Sequence, residues 1–215
     1  MNYTELTQAI QDYTENPEAS FVDNIPTFVQ QAEFRIVRSV LIPEFRKNVL
    51  GDLTAGNRYL SRPTDFLSAF SIAIIDSDGE YTYLYDKDMN FMREAYPDPT
   101  VTGKPKYYAQ FAGDSVANTN GSFLLGPTPD QAYSVELQYY FDPPSIAETG
   151  TSWLGDNAPT ALLYGALIEA YTYMKGDADM MTIYKTRYDD ALAQVGIIDV
   201  RGKRDSYRDG DMRVE

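Results

Sequence analysis

Residues Phe66 to Tyr85 read FLSAFSIAIIDSDGEYTYLY. Two runs of apolar, β-branched and aromatic residues flank Asp76-Ser77-Asp78-Gly79. Glycine supplies the positive φ that a tight hairpin needs, so a β-hairpin turning at Asp78-Gly79 is expected. The strand period does not stop there. From about Phe45 to Ile146, clusters of Gly, Pro, Asn and Asp punctuate short runs rich in Tyr, Phe, Ile and Val. Tyr107–Phe111, Phe123–Gly126 and Tyr133–Phe141 read as further strands, and Asp88–Tyr96 as one short inserted helix. Tyr59, Tyr81, Tyr83, Tyr85, Tyr96, Tyr107, Tyr108, Tyr133, Tyr139 and Tyr140 fall here, as suits a pleated, half-buried surface. About a hundred residues of short strands and frequent turns predict a small sandwich or barrel.

On both sides the period is helical. Tyr3, Leu6, Ile10 and Tyr13 recur every three or four residues, and Asn16-Pro17 ends that helix. Asp23 or Asn24 can cap a second helix. Pro26 suits its first turn, Ile25, Phe28, Val29, Ala32, Ile36 and Val40 form its stripe, and Pro43 closes it. After Trp153, a cap at Asp156 or Asn157 precedes Leu162, Leu163, Ala166, Leu167, Ala170, Tyr171 and Met174 on one side, with a stop at Gly176. Met181, Tyr184, Tyr188, Leu192 and Val195 give a last stripe, with a stop at Gly196. The expected fold class is α+β, a four-helix bundle interrupted by an inserted β sandwich or barrel. The expected domains are a helical hairpin over 1–44, the β insert over 45–150, completing helices over 151–197 and an extended C-terminal arm over 198–215.

Composition narrows function. The 215 residues contain no His and no Cys. That removes Ser-His and Cys-His nucleophilic catalysis, thiolate redox chemistry and imidazole or thiolate zinc sites. Eighteen basic residues stand against 32 acidic ones, for a net charge of -14. Gripping nucleic acid or an anionic membrane needs clustered Lys and Arg, so neither is expected as a bound partner. The first residues carry no basic, apolar leader, and no segment approaches the roughly 20 apolar residues of a spanning helix.

No catalytic constellation emerges. Asp76-Ser77-Asp78-Gly79-Glu80 superficially resembles a calcium loop, yet Tyr81 stands where Gly is required and Lys87 where a bidentate Glu is required. Asp86-Lys87-Asp88-Met89-Asn90 fails the same test at Phe91. GxxxxGK[ST], GxGxxG and GxSxG patterns are absent. Asp189-Asp190 and Asp177 with Asp179 read as solvated helix faces and caps. The expectation is no enzyme, no metal and no cofactor. A hydrolase dependent on Mg²⁺ or Ca²⁺ is a distant rival, and a carbohydrate- or peptide-binding module using the Tyr-rich insert a nearer one. Between Tyr107 and Met174, however, no Lys or Arg accompanies the aromatic residues.

Two charge features have two readings each. Residues 1–34 carry six acidic and no basic residues, and Arg35, Arg38, Arg46 and Lys47 follow. These charges are either helix faces obeying dipole preferences or complementary edges of neighbouring copies, with Glu33, Arg35 and Arg38 at the subunit contact. The C-terminal segment from Asp199 alternates five basic and five acidic residues. It is either a disordered terminus or an arm that orders on a partner, since Arg forks pair with carboxylates and carbonyls.

Several strings resemble the head-to-tail adaptor proteins (connector or tail-tubular type) of short-tailed bacteriophages. They are Tyr3-Thr4-Glu5-Leu6 through Tyr13-Thr14-Glu15-Asn16, Ile25-Pro26-Thr27-Phe28-Val29 with Ala32-Glu33-Phe34-Arg35-Ile36, and Phe123-Leu124-Leu125-Gly126-Pro127-Thr128-Pro129-Asp130 leading into Val135-Glu136-Leu137-Gln138-Tyr139-Tyr140. The last is Trp153-Leu154 followed by Ala158-Pro159-Thr160-Ala161-Leu162-Leu163-Tyr164 and the Tyr184–Leu192 stripe. The resemblance implies a virion structural protein made in the host cytoplasm and placed at the head–tail junction. It implies a homo-oligomeric ring, commonly of twelve copies, contacting the portal protein above and a tail nozzle or fibre protein below. DNA would pass through the channel without specific binding. Under that resemblance Arg201, Arg204, Tyr207, Arg208 and Arg213 are the expected portal contacts. Another tail-completion or stopper ring is the alternative within the same class.

Overall fold

The computed structural model describes residues 1–40, 42–111 and 121–202, with side chains described to residue 196. It is mixed α+β and divides into two compact units, Met1–Glu44 with the chain from Pro143 onward, and Phe45–Asp142.

In the helical unit, α1 (Tyr3–Thr14) opens on a reciprocal cap. The Glu5 N–H donates to Asn2 Oδ1 at 2.9 Å and the Asn2 N–H to Glu5 Oε2 at 3.0 Å. Leu6 and Ile10 are buried, and Glu15 takes left-handed geometry just before Pro17. The short α2 (Ala19–Val22) turns Phe21 inward and leads into α3 (Ile25–Ser39). Asn24 precedes α3 but does not cap it, because its side-chain amide donates back to Ser20 O at 2.7 Å. Short helices α5 (Ile146–Thr149) and α6 (Trp153–Asn157) follow the β unit; α4 belongs to that unit and is described below. Ser145 and Ser152 cap these two short helices. The long helix that follows, over 159–174, starts at Ala158 and Pro159 with no side-chain cap, so neither Asp156 nor Asn157 caps it as expected.

The central element is α7 (Pro159–Met174). It packs against α1, α3 and α8 (Ala178–Gly202), so burial extends around it, over Ala161, Leu162, Leu163, Gly165, Ala166, Leu167 and Ala170. A single stripe was expected; the alanines and Gly165 instead let neighbours approach on several sides. A Cβ at Gly165 would lie 3.0 Å from Ala32 Cβ and 3.2 Å from Tyr188 Cε2. Two expected stops behave differently. Lys175, not Gly176, takes the left-handed turn after α7, and Gly176 is needed because Tyr171 Cδ1 would meet its Cβ at 2.5 Å. α8 runs through Gly196 to Gly202, so the first residues of the expected arm are helical. No proline or positive-φ residue interrupts that backbone.

The β unit holds two four-stranded sheets. The first is ordered β1 (Arg46–Leu53), β8 (Tyr133–Phe141), β3 (Phe66–Ile75), β4 (Tyr81–Tyr83), all antiparallel. The second is ordered β2 (Tyr59–Ser61), β7 (Ser122–Gly126), β6 (Tyr107–Phe111), β5 (Tyr85–Asp86), with β5 parallel to β6. The β3–β4 hairpin turns where expected, with Gly79 at φ +81° and its N–H donating to Asp76 O at 2.9 Å. Ile72, Ile74, Val135 and Leu137 from the first sheet and Tyr108, Phe123 and Leu125 from the second form one apolar cluster. On the other face of β6 and β7, α4 (Met89–Ala95) lays Met92 over Ala109 and Leu124. The sequence does not predict the strand β1: Arg46-Lys47-Asn48 and Gly51-Asp52 have no strand pattern, and its form comes from an eight-residue register on β8. Among the described residues no helix is long and apolar enough to cross a membrane.

Candidate subunit interface

The charged residues singled out on α3 have different surroundings. Helical geometry turns Glu33 toward Ile36 and Val37 on the inner face and Phe34 and Arg38 toward the outer one. Glu33 is 8% exposed, and its Oε1 accepts the Ile146 N–H at 3.0 Å. Burial pushes its pKa above the ordinary carboxyl value. Arg35 is half-buried, pairs with Glu169 on α7, and its guanidinium lies 5.9 Å from the Tyr188 ring centroid on α8. Arg35 therefore joins three helices of one subunit, and Glu33 joins α3 to α5.

Arg38 remains at the surface. Its guanidinium stacks 3.3 Å over the Phe34 ring, which is 56% exposed. Gln31, Phe34, Arg35, Arg38 and Ser39 rim a shallow hollow of about 420 Å³. Exposed aromatic and Arg side chains are the types enriched where proteins meet. The partner of Arg38 was legible in principle, because Phe34 and Arg38 stand at i and i+4 on one helix face. Glu169 was not, being 134 residues away from Arg35.

Of the expected portal contacts, Arg201 falls in the last turn of α8. Arg204, Tyr207, Arg208 and Arg213 lie outside the described residues.

The Tyr-rich insert divides its tyrosines. Tyr108, Tyr133 and Tyr139 are core residues, while Tyr59, Tyr81, Tyr83 and Tyr85 are exposed. The Tyr139 hydroxyl donates to Asp65 Oδ1 at 2.8 Å, and Lys47 Nζ donates to Asp65 Oδ2 at 2.6 Å. Burial and the Asp65 carboxylate push Tyr139 up to about 12. Burial alone would raise Asp65, but donation from Lys47 and Tyr139 outweighs it and holds Asp65 below its ordinary value. These groups are spent on each other. Asp76, at the turn that superficially resembles a calcium loop, is likewise taken by Lys104 Nζ at 2.6 Å. Among the described residues no group of three or more Asp or Glu could hold a metal ion.

No curated protein matches the chain. The model of the family described as SU10 adaptor protein matches residues 1–214, nearly the whole length. A match of that extent places both the helical unit and the β unit inside one family, and the chain belongs to the SU10 adaptor proteins as a phage head–tail adaptor, a structural component of the virion.

Proposed function

We propose that the protein works by geometry alone, as one subunit of a closed ring, of about twelve copies, between the capsid portal and the tail. The observation that carries this reading is the family match over residues 1–214. In this reading α1, α3, α7 and α8 form a four-helix bundle, split in sequence by an insert whose two sheets act as a sandwich. The bundle builds the ring, with Arg38 and Phe34 at the contact with the next copy. Glu33 and Arg35 support that contact from within, by fixing α3 to α5 and α7. The insert presents its strands and loops to the next tail component, a nozzle or fibre protein, and the C-terminal segment binds the portal. The excess of 32 acidic over 18 basic residues suits a lumen that repels phosphate and lets DNA slide. No catalytic step is assigned to any residue.

The portal contact is tested by ending the chain after Gly202, which keeps α8 and removes Arg204, Tyr207, Arg208 and Arg213. The shortened chain is expected to fold, with unchanged circular dichroism, and to lose co-sedimentation with purified portal. Undiminished portal binding by the folded, shortened chain would refute the arm.

A further inference from the structure

β1 and β4 are the outer strands of the first sheet, and no strand among the described residues pairs with their outer edges. An open edge is a template for further pairing, which proteins ordinarily blunt with charge, proline or brevity. The middle of β1 is not blunted. Seven of its eight residues are exposed, and Asn48-Val49-Leu50-Gly51 carries neither charge nor proline. Val49 is 41% and Leu50 66% exposed. On the opposite edge Tyr81 is 48% and Tyr83 58% exposed.

Strand direction says what these edges can join. All three pairings in the sheet are antiparallel, so four strands alternate and β1 and β4 run in opposite directions. A second copy that sets its β4 antiparallel on β1 therefore points the same way as the first, and the addition can repeat. That is the head-to-tail contact that generates a ring. Pairing β1 with β1 would need a two-fold axis and would stop at a dimer.

We propose that β1 of each copy pairs with β4 of the next, joining neighbouring sheets into one continuous belt. This deepens the ring reading, and rests on it, by naming a contact between copies. Side-chain faces fix the register. Leu53 is buried, so Val49 and Gly51 share the inner face and Asn48 and Leu50 the outer. On β4, Thr82 opposes the fully buried Ile74 and is inner, while Tyr81 and Tyr83 are outer. Residues directly opposite in a ladder share a face. Val49 then meets Thr82, Leu50 meets Tyr81 and Asn48 meets Tyr83. Sliding two residues one way sets Thr82 against Gly51, which has no side chain to pack on it; sliding two the other way leaves Leu50 against Gly79. In the chosen register the incoming strand also closes an apolar groove of about 310 Å³ beside β1, lined by Val49, Leu60, Pro63, Val135 and Leu137.

The absence of Cys allows a direct test. Within one copy, β1 and β4 are three strand spacings apart, about 14 Å, beyond the reach of a disulfide. The full chain carrying Leu50→Cys and Tyr81→Cys together, oxidised, is expected to give a ladder of covalent oligomers on a denaturing gel, and either substitution alone only monomer. A covalent dimer from Leu50→Cys alone would overturn the proposal in favour of two-fold pairing. Rings visible by electron microscopy without a ladder would overturn this contact and spare the ring; single copies throughout would overturn both. As a second variant, Leu50→Lys is expected to abolish the ring with the subunit's melting transition unchanged, and intact rings would contradict the contact.

Discussion

The carboxylate of Glu33 reaches across 113 residues of sequence to accept the N–H of Ile146 at 3.0 Å. Its other oxygen is buried without a hydrogen-bond partner among the described residues. Burial raises the pKa of this carboxyl, so the fold favours its protonated form. Stability from this group is full below the unfolded carboxyl value of about 4.3 and is lost as pH rises through the higher folded value. Glu33→Gln keeps the acceptor without the charge. It is expected to raise the melting temperature at pH 7.5, with the gain fading toward pH 4.5. Glu33→Ala strands the Ile146 amide and should cost about 1–3 kcal/mol. Thermal melts across that pH range decide both.

Gly165 sits at a close approach of α3 and α8 to α7, with Ala32 and Tyr188 against it. Gly165→Val is expected to destabilise the helical unit by about 3 kcal/mol, since overpacking forces backbone shifts. Gly165→Ala should cost far less, because a gain of about 1 kcal/mol in helix propensity offsets the contact. Urea unfolding of the two variants measures the difference.

In the β unit, Lys47, Asp65 and Tyr139 are linked by hydrogen bonds of 2.6 and 2.8 Å. The depressed pKa of Asp65 means its contribution is present above the unfolded value of about 3.9 and disappears as pH falls through the lower folded value. Tyr139, raised to about 12, has the opposite sign: its contribution is full below pH about 10 and is lost between there and 12. Asp65→Asn should flatten the acid limb of the stability curve, and Tyr139→Phe should remove the alkaline step. Chemical denaturation between pH 3 and pH 12 separates them.

The insert begins and ends side by side, since Arg46 opposes Tyr140 and Lys47 opposes Tyr139 in the β1–β8 ladder. Residues 45–142 expressed alone are therefore expected to melt cooperatively with a β circular-dichroism spectrum. A non-cooperative transition would show that the core shared by Ile72, Phe123 and Leu137 does not suffice.

What could be read from sequence depended on the range of the forces involved. The β3–β4 hairpin was legible because Asp78-Gly79 encodes its turn locally, and α1 because its stripe and its Asn16-Pro17 stop lie within 17 residues. β1 was not legible, since only its partner β8, more than 80 residues later, makes a strand of so polar a segment. The same distance hid the roles of Glu33 and Arg35. Their charge suggested a surface, but Ile146 and Glu169 draw them into the subunit. Gly196 read as a stop by composition, and α8 passes it because no positive φ is required there. The aromatic content points to strands, yet which tyrosines face outward depends on sheet order. The edge occupied by Tyr81 and Tyr83 follows from that order alone.

Electron microscopy of the full-length protein, alone and mixed with purified portal, tests the account most directly. Closed rings of one copy number, seated coaxially on the portal with an open channel, are predicted. Isolated subunits or open filaments that leave the portal bare would contradict it.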